Sequence, residues 1–316
     1  MIIVTGGAGF IGSNLVNFLN EQNYENIVSI DYLNKENKKY FSSNHVQMVD
    51  PKETFSFLNK YEKEIKIIIH LGAISSTTTN DPSLVLENNL NLSLALKKWC
   101  YERKKRFIYA SSAATYGNGE NGFLDETSIN YLSKLLPLNL YGWSKQIVDL
   151  NFFKKLKKSN QLVGLKFFNV YGPNEYHKGN MKSIILKVYN KVKKREFIEL
   201  FKSHNKKFKD GEQLRDFIYV KDVIKVINWF IENPKFSGLF NVGTGKPRSF
   251  NDLTSCVYRN FNYPAKIRYI DTPKNIRSQY QYFTKARMSK LRKLGYKMKF
   301  FTLEEGINDY INNHLK

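Results

Sequence analysis

The stretch that most limits what this chain can fold into is an apolar run, Met1-Ile2-Ile3-Val4, ending in Thr5-Gly6-Gly7-Ala8-Gly9-Phe10-Ile11-Gly12 and continuing as an amphipathic segment to about Glu21. Glycines allow a tight turn and close backbone approach. The helix that follows directs unpaired N–H groups and the positive end of its dipole at that turn. A strand, a glycine turn and a helix in this order read as a phosphate cradle, with Gly6, Gly9, Phe10, Ile11 and Gly12 set against a pyrophosphate.

Ile27-Val28-Ser29-Ile30-Asp31 reads as a second strand ending in a carboxylate 19 residues beyond Gly12, where a dinucleotide fold places the acid that binds ribose. Asp31 alone favours NAD, because it repels a 2′-phosphate. Lys35, Lys38 and Lys39 follow and are able to neutralise one, so NADP and NAD both remain open. Residues 45–50 read as a third strand with Asp50 placed to meet the adenine, and Lys66-Ile67-Ile68-Ile69-His70-Leu71-Gly72-Ala73 as a buried parallel strand. A helix is expected over 82–103, carrying Asn88 and Asn89. Arg106-Phe107-Ile108-Tyr109-Ala110 then forms a fifth strand running into Ser111-Ser112-Ala113-Ala114-Thr115-Tyr116-Gly117. This alternation predicts an α/β fold, a Rossmann-type doubly wound parallel sheet with a smaller α/β substrate-binding domain. Ligands bind at the carboxyl ends of such strands, so Ser112 faces the crevice of the glycine turn.

A helix is expected over 139–158, and it carries Tyr141 and Lys145 four residues apart, hence on one face and about 6 Å apart along the axis. Bringing a phenol from about 10 to about 7 takes roughly 4 kcal/mol, which one charge about 4 Å away supplies at an effective dielectric near 20. With 20 Tyr and 50 Lys plus Arg, chance alone produces this spacing, so the glycine turn and Ser112 must decide its meaning. Together they place a hydroxyl, a phenol and an ammonium beside a dinucleotide. Ser112 holds the substrate oxygen, Tyr141 exchanges its proton, and Lys145 lowers the phenol and holds the nicotinamide ribose.

The glycine turn and the Ser112/Tyr141/Lys145 set are joined by Phe168-Asn169-Val170-Tyr171-Gly172-Pro173, Arg215-Asp216-Phe217-Ile218-Tyr219-Val220-Lys221-Asp222 and Phe240-Asn241-Val242-Gly243-Thr244-Gly245. Over essentially its whole length the chain resembles the extended short-chain dehydrogenase/reductases that modify nucleotide sugars. More narrowly, Ala73-Ile74-Ser75-Ser76-Thr77-Thr78, Tyr176-His177-Lys178-Gly179-Asn180-Met181 and Tyr280-Gln281-Tyr282-Phe283-Thr284 resemble the ADP-glycero-manno-heptose 6-epimerase family of lipopolysaccharide heptose synthesis. The resemblance implies NADP, with Ala73 and Asn89 joining its site, and Lys178 as a second acid/base. It also implies Ser75, Asn169, Phe201, Arg215 and Tyr280 on an ADP-heptose or related nucleotide sugar, and a homo-oligomer, a pentamer in that family. It places NAD(P) on residues 1–168, with returns near 216–242 and 281–292, and the sugar nucleotide on 169–316. Inverting C6″ requires hydride removal from one face and return to the other, so the transient 6-keto sugar needs a proton donor in each orientation: Tyr141 and Lys178.

Two segments depart from that pattern. Residues 130–140 are longer than it predicts, and Lys206-Lys207-Phe208-Lys209-Asp210-Gly211-Glu212 reads as an insertion before Arg215; both border the sugar nucleotide and leave the sugar and the nucleotide open. A 4,6-dehydratase expects an Asp-Glu pair where Ala113-Ala114 stand. A 4-epimerase or a reductase remains the enzyme alternative. The net charge of +22 raises a non-enzyme alternative, a nucleic-acid or regulatory binding protein, but only ten of the 50 cations are arginine. No nucleic-acid partner is therefore expected. The start at Met1 without a basic, apolar leader, the lack of a run long enough to span a bilayer, and two widely separated cysteines, Cys100 and Cys256, predict a cytoplasmic enzyme with no membrane association, no disulfide framework and no metal site.

Overall fold

Four successive buried residues make strand β1 (Ile2–Thr5), and four more make β4 (Ile67–His70). Continuous apolar strands of this kind need cover on both faces. The computed structural model describes residues 1–32, 38–41, 46–76, 81–154, 160–261, 263–277 and 280–316, the side chains at 38, 180, 275 and 276 excepted. Lys35, His45, Thr77, Thr78 and the side chain of Lys38 lie outside the described residues. With β2 (Ile27–Ile30), β3 (Gln47–Val49), β5 (Arg106–Ser112), β6 (Leu162–Phe167) and β7 (Gly238–Val242), the two strands form a seven-stranded sheet in the order β7-β6-β5-β4-β1-β2-β3. All six pairings are parallel. The strand order reverses direction between β1 and β4, and a ligand crevice opens at the carboxyl ends there.

Helices cover both faces: α1 (Phe10–Glu21), α2 (Leu92–Glu102), α3 (Leu140–Phe153) and α4 (Val220–Glu232). Leu15, Val16 and Leu19 of α1 share one core with Val223, Ile224 and Ile227 of α4. Leu96 and Trp99 of α2 share the other with Val148 and Phe152 of α3. Shorter pairings follow β6. Asn169–Tyr171 lies parallel to Phe217–Tyr219, and Ile198–Phe201 parallel to Ile267–Ile270. Cys100 and Cys256 are both buried and free. Among the described residues no helix is long and apolar enough to cross a membrane.

Three elements differ from the sequence expectation. The third strand covers only Gln47–Val49. The helix expected over 82–103 runs without a gap to Glu102 but changes pitch, from Pro82–Val85 through a π-helical turn Leu86–Asn91 into α2. The wider turn sets the Asn89 amide inward, where it closes both backbone bonds of Ile74. Strand β5 runs two residues further than expected, because Ser111 and Ser112 pair with Lys166 and Phe167 of β6.

That register brings together a buried ion pair. Lys166 Nζ lies 2.7 Å from Asp149 on α3, and both side chains are fully buried. Asp149 also accepts hydrogen bonds from the Tyr109 hydroxyl at 2.7 Å and the Ser111 hydroxyl at 2.8 Å, and Lys166 donates to Thr115 Oγ1 at 2.6 Å. Burial pulls the Lys166 ammonium below its usual pKa, and Asp149 opposes that pull. Removing one member leaves an uncompensated buried charge. Asp149→Asn is expected to destabilise the protein by about 3–5 kcal/mol in chemical denaturation, and Asp149→Leu with Lys166→Met to recover most of it.

Candidate active site

The crevice is a cavity of about 580 Å³ at the carboxyl ends of β1, β4 and β5. Gly6, Gly9, Phe10, Ile11, Gly12 and Asp31 line one part of it, and Ala73, Ser75, Ser112, Tyr141, Lys145 and Lys178 another. At the glycine turn Gly6 has φ +69°, a left-handed conformation, and a Cβ on Gly12 would meet the Gly6 carbonyl oxygen at 2.0 Å. The N-cap of α1 is Gly9, which has no side chain to close the helix end. Its first-turn amides are thus available to a pyrophosphate. Asp31 accepts from the Ala8 and Tyr32 amides at 2.9 and 2.8 Å, which draws its carboxylate against the turn. Burial raises its pKa and these amides lower it. A turn that excludes side chains, an uncapped helix and an acid beside them fit a dinucleotide.

Asn139 caps α3 by accepting from the Gly142 amide at 2.8 Å, and so sets where the helix carrying Tyr141 begins. Lys145 is 2% exposed, and burial lowers its pKa to about 8 against a raising pull from Asp149 one turn further on. The expected lowering of the Tyr141 phenol is not found. Burial raises it, the Ser112 hydroxyl hydrogen-bonded to it pulls it down, and the Asp149 carboxylate pushes it up again. Desolvation of the phenolate dominates, and Lys145, whose own pKa burial lowers to about 8, has lost its charge before the phenol titrates.

Behind these groups runs a chain of buried hydrogen bonds that sequence reasoning missed. Ser93 donates to the Asn89 carbonyl at 2.5 Å, so His70 Nε2, 2.9 Å from Ser93 Oγ, is the donor there. The opposite ring nitrogen, Nδ1, then accepts from the Thr5 hydroxyl at 2.6 Å. Burial takes the His70 pKa down to about 3, which keeps the ring neutral and this direction of donation in place. The Asn89 amide also donates to Ser144 Oγ at 3.0 Å, and Ser144 to the Tyr141 carbonyl at 2.7 Å. Asn89, expected at the cofactor, lies behind the cavity and ties the loop after β4 to α3.

Lys178 stands on a loop held at both ends. The buried Glu175 carboxylate accepts from the Ser183 amide at 2.5 Å, the Ser183 hydroxyl at 2.6 Å and the Tyr310 hydroxyl at 3.2 Å. Lys178 Nζ lies 5.2 Å from the centre of the Phe10 ring. Burial lowers the ammonium's pKa, and Glu175 raises it in part.

The remaining expected residues lie outside the cavity lining. Asp50 is exposed and caps the Lys52 amide at 2.8 Å. Asn169 donates to the Asp216 carbonyl at 3.2 Å and to Thr284 Oγ1 at 3.3 Å. Phe201, Arg215 and Tyr280 cluster together. The Phe201 and Tyr280 ring centres are 5.9 Å apart, and the Arg215 guanidinium lies 5.5 Å from Tyr280 and 5.8 Å from Phe250. Arg215 is buried, donates to the Leu214 and Gln281 carbonyls, and has its pKa lowered to about 10 by burial. Tyr282 extends the cluster, 5.2 Å from Tyr280, and Phe208 of the inserted segment lies 5.6 Å from Tyr282. Alternating aromatics at 280 and 282 carried that signal. Among the described residues no group of three His, Cys, Asp or Glu is placed to hold a metal ion.

The chain's residues 2–243 match the NAD dependent epimerase/dehydratase family. It is 44% identical to ADP-L-glycero-D-manno-heptose-6-epimerase of Fusobacterium nucleatum subsp. nucleatum over 325 residues, covering 100% of this chain and 98% of the relative. The enzyme of the same name from Nitratidesulfovibrio vulgaris is also 44% identical, with the same coverage. Among solved structures, the Helicobacter pylori ADP-L-glycero-D-manno-heptose-6-epimerase is similar at a TM-score of 0.82 and 30% identity, covering 99% of this chain and 95% of that one. A UDP-N-acetylglucosamine 4-epimerase from Methanobrevibacter ruminantium has a TM-score of 0.83 at 26% identity, covering 99% of this chain and 98% of that one.

The geometry makes Lys145 chemically distinct from surface lysines, which titrate at about 10.4. In the free protein, a lysine resonance followed by NMR is expected to titrate with a pKa of about 8 and to vanish in Lys145→Met.

Proposed function

The chain belongs to the NAD dependent epimerase/dehydratase family, and on that premise we propose that it is an ADP-glycero-manno-heptose 6-epimerase, an isomerase that inverts C6″ through a transient 6-keto sugar. The observation that carries this reading is that Tyr141 and Lys178, from separate elements, line one cavity with the glycine turn. The 44% identity to enzymes of that name along the full chain supports the substrate.

The bound nicotinamide supplies a hydride acceptor and donor. The protein's own residues manage the substrate oxygen and its proton. Ser112, whose hydroxyl also accepts from the Ala114 amide at 3.1 Å, holds the C6″ oxygen. Burial moves the two acid/base groups in opposite senses, the Tyr141 phenol up and the Lys178 ammonium down. Such divergence suits one to give a proton and the other to take it. In one direction Lys178 accepts the hydroxyl proton as C6″ is oxidised. After the ketone turns over, Tyr141 donates to its oxygen as C6″ is reduced on the opposite face. The turnover leaves a phenolate and an ammonium, and a proton passes back between them through solvent before the next. Substrate of the opposite configuration uses the two groups in the reverse order.

The cofactor proposed is NADP, with NAD as the alternative. Lys39, exposed beyond Asp31, is a cation for the 2′-phosphate, and dissociation constants of the two dinucleotides decide. The dinucleotide is assigned to residues 1–168 with returns near 216–242 and 281–292, and the sugar nucleotide to 169–316. The return of β7 to the main sheet supports the first assignment, and the Arg215 cluster, suited to a diphosphate and a base, supports the second. A cytoplasmic homo-oligomer of five subunits in lipopolysaccharide heptose synthesis, with no nucleic-acid or membrane partner, completes the proposal on the strength of the resemblance.

A nucleotide-sugar 4-epimerase is the second reading, favoured by the equally close fold of the Methanobrevibacter enzyme. Incubation with ADP-D-glycero-manno-heptose is expected to yield the L-glycero product by NMR. Turnover of another nucleotide sugar instead would contradict the assignment. Lys178→Met is expected to keep cofactor affinity and lose epimerisation by roughly 10²–10⁴-fold, the range for a general acid–base group. A 4-epimerase that turns the whole sugar before a single tyrosine would be indifferent to that change.

A further inference from the structure

The loop that carries Lys178 touches two cofactor-side elements. The first is α1: Asn14 donates to the Pro173 carbonyl at 2.9 Å, and Asn174 to Ser13 Oγ at 3.1 Å. The second is the turn Lys38–Tyr40, which follows the ribose-side acid Asp31. Tyr40 is only 6% exposed although the sequence around it is polar. Its backbone carbonyl accepts from Asn17 of α1 at 2.7 Å. Its ring centre lies 5.4 Å from that of His177 and 6.2 Å from that of Tyr176, both at tilted angles suited to aromatic contact. His177 and Lys178 are adjacent and both line the crevice.

We propose that Tyr40 is a positioning residue for Lys178: its ring, anchored to α1 and packed on Tyr176 and His177, places the second acid/base group from the segment beside the cofactor's adenosine ribose. The inference rests on Lys178 having the role proposed above. It gives the aromatic contact a purpose that cofactor binding alone does not require, since the ring packs on the catalytic loop. Glu175 fixes the far side of the same loop, so without Tyr40 the loop stays attached and its cavity-facing end loses its support.

The test uses the full-length protein with Tyr40→Ala and Tyr40→Phe. Phenylalanine keeps the ring and is expected to behave as wild type. Alanine is expected to leave the dinucleotide dissociation constant, measured by calorimetry, unchanged. It should slow epimerisation by roughly 10- to 100-fold, as misplacement of a reacting group does. The loss should be asymmetric when reduced nicotinamide is followed in a single turnover from each pure epimer. The epimer whose oxidation uses Tyr141 should react at the wild-type rate, and the one that uses Lys178 should be slowed. Wild-type epimerisation by Tyr40→Ala would overturn the inference, as would equal loss from both epimers with weakened cofactor binding. Lys178→Met separates the two levels. If it epimerises normally, the role of Lys178 fails. If it does not while Tyr40→Ala does, only the role of Tyr40 fails.

Discussion

The catalytic end of this molecule depends on how α3 is fastened to the sheet. Tyr141, Lys145 and Asp149 follow one another at intervals of four residues, so one helix face carries the phenol, the ammonium and the carboxylate. Asp149 accepts from Tyr109 and Ser111 of β5 and pairs with Lys166 of β6, all out of contact with water. Three partners on two adjacent strands determine both the rotation and the height of the helix. A buried pair contributes little net stability relative to an apolar substitute, but loss of one partner is costly. Its value here is positional, because a slip of α3 along the sheet would move Tyr141 away from Ser112 at the end of β5.

A second network works from the other side. The hydrogen bonds from Thr5 through His70, Ser93 and Asn89 to Ser144 join the start of the glycine turn to the first turn of α3. A neutral histidine inside this chain has one donor and one acceptor, and the direction of donation is determined by its neighbours. The crevice is therefore a gap between elements tied together by buried hydrogen bonds, and Lys178 enters it on a loop braced by Glu175 and Tyr40. Raised phenol and lowered ammonium share one cause. Closing both groups away from water disfavours their charged forms, and so separates a proton donor from a proton acceptor.

Much of this was legible in the chain itself. The apolar runs at 2–5, 27–30, 67–70 and 106–110 are parallel strands, and the glycine turn stands at the head of α1. Spacing alone brought Tyr141 and Lys145 to one face. Side chains acting through others were not legible. Asp149, His70 and Ser93 look like ordinary polar residues in periodic segments, and their partners lie on different strands and helices, at separations no local pattern encodes. The π-turn at Leu86–Asn91 has no propensity signature, and it makes the Asn89 side chain an internal brace. Sequence spacing reports the charge beside the phenol and not the depth of burial, which raises its pKa instead.

In the proposed mechanism C6″ loses and regains the same hydride within one crevice while Tyr141 and Lys178 handle the proton on its oxygen. Substrate carrying deuterium at C6″ tests this directly. Turnover in ordinary water should give product of inverted configuration with the deuterium retained at C6″. Replacement of that deuterium by solvent hydrogen would mean that the carbon is deprotonated and reprotonated instead, and would contradict the account.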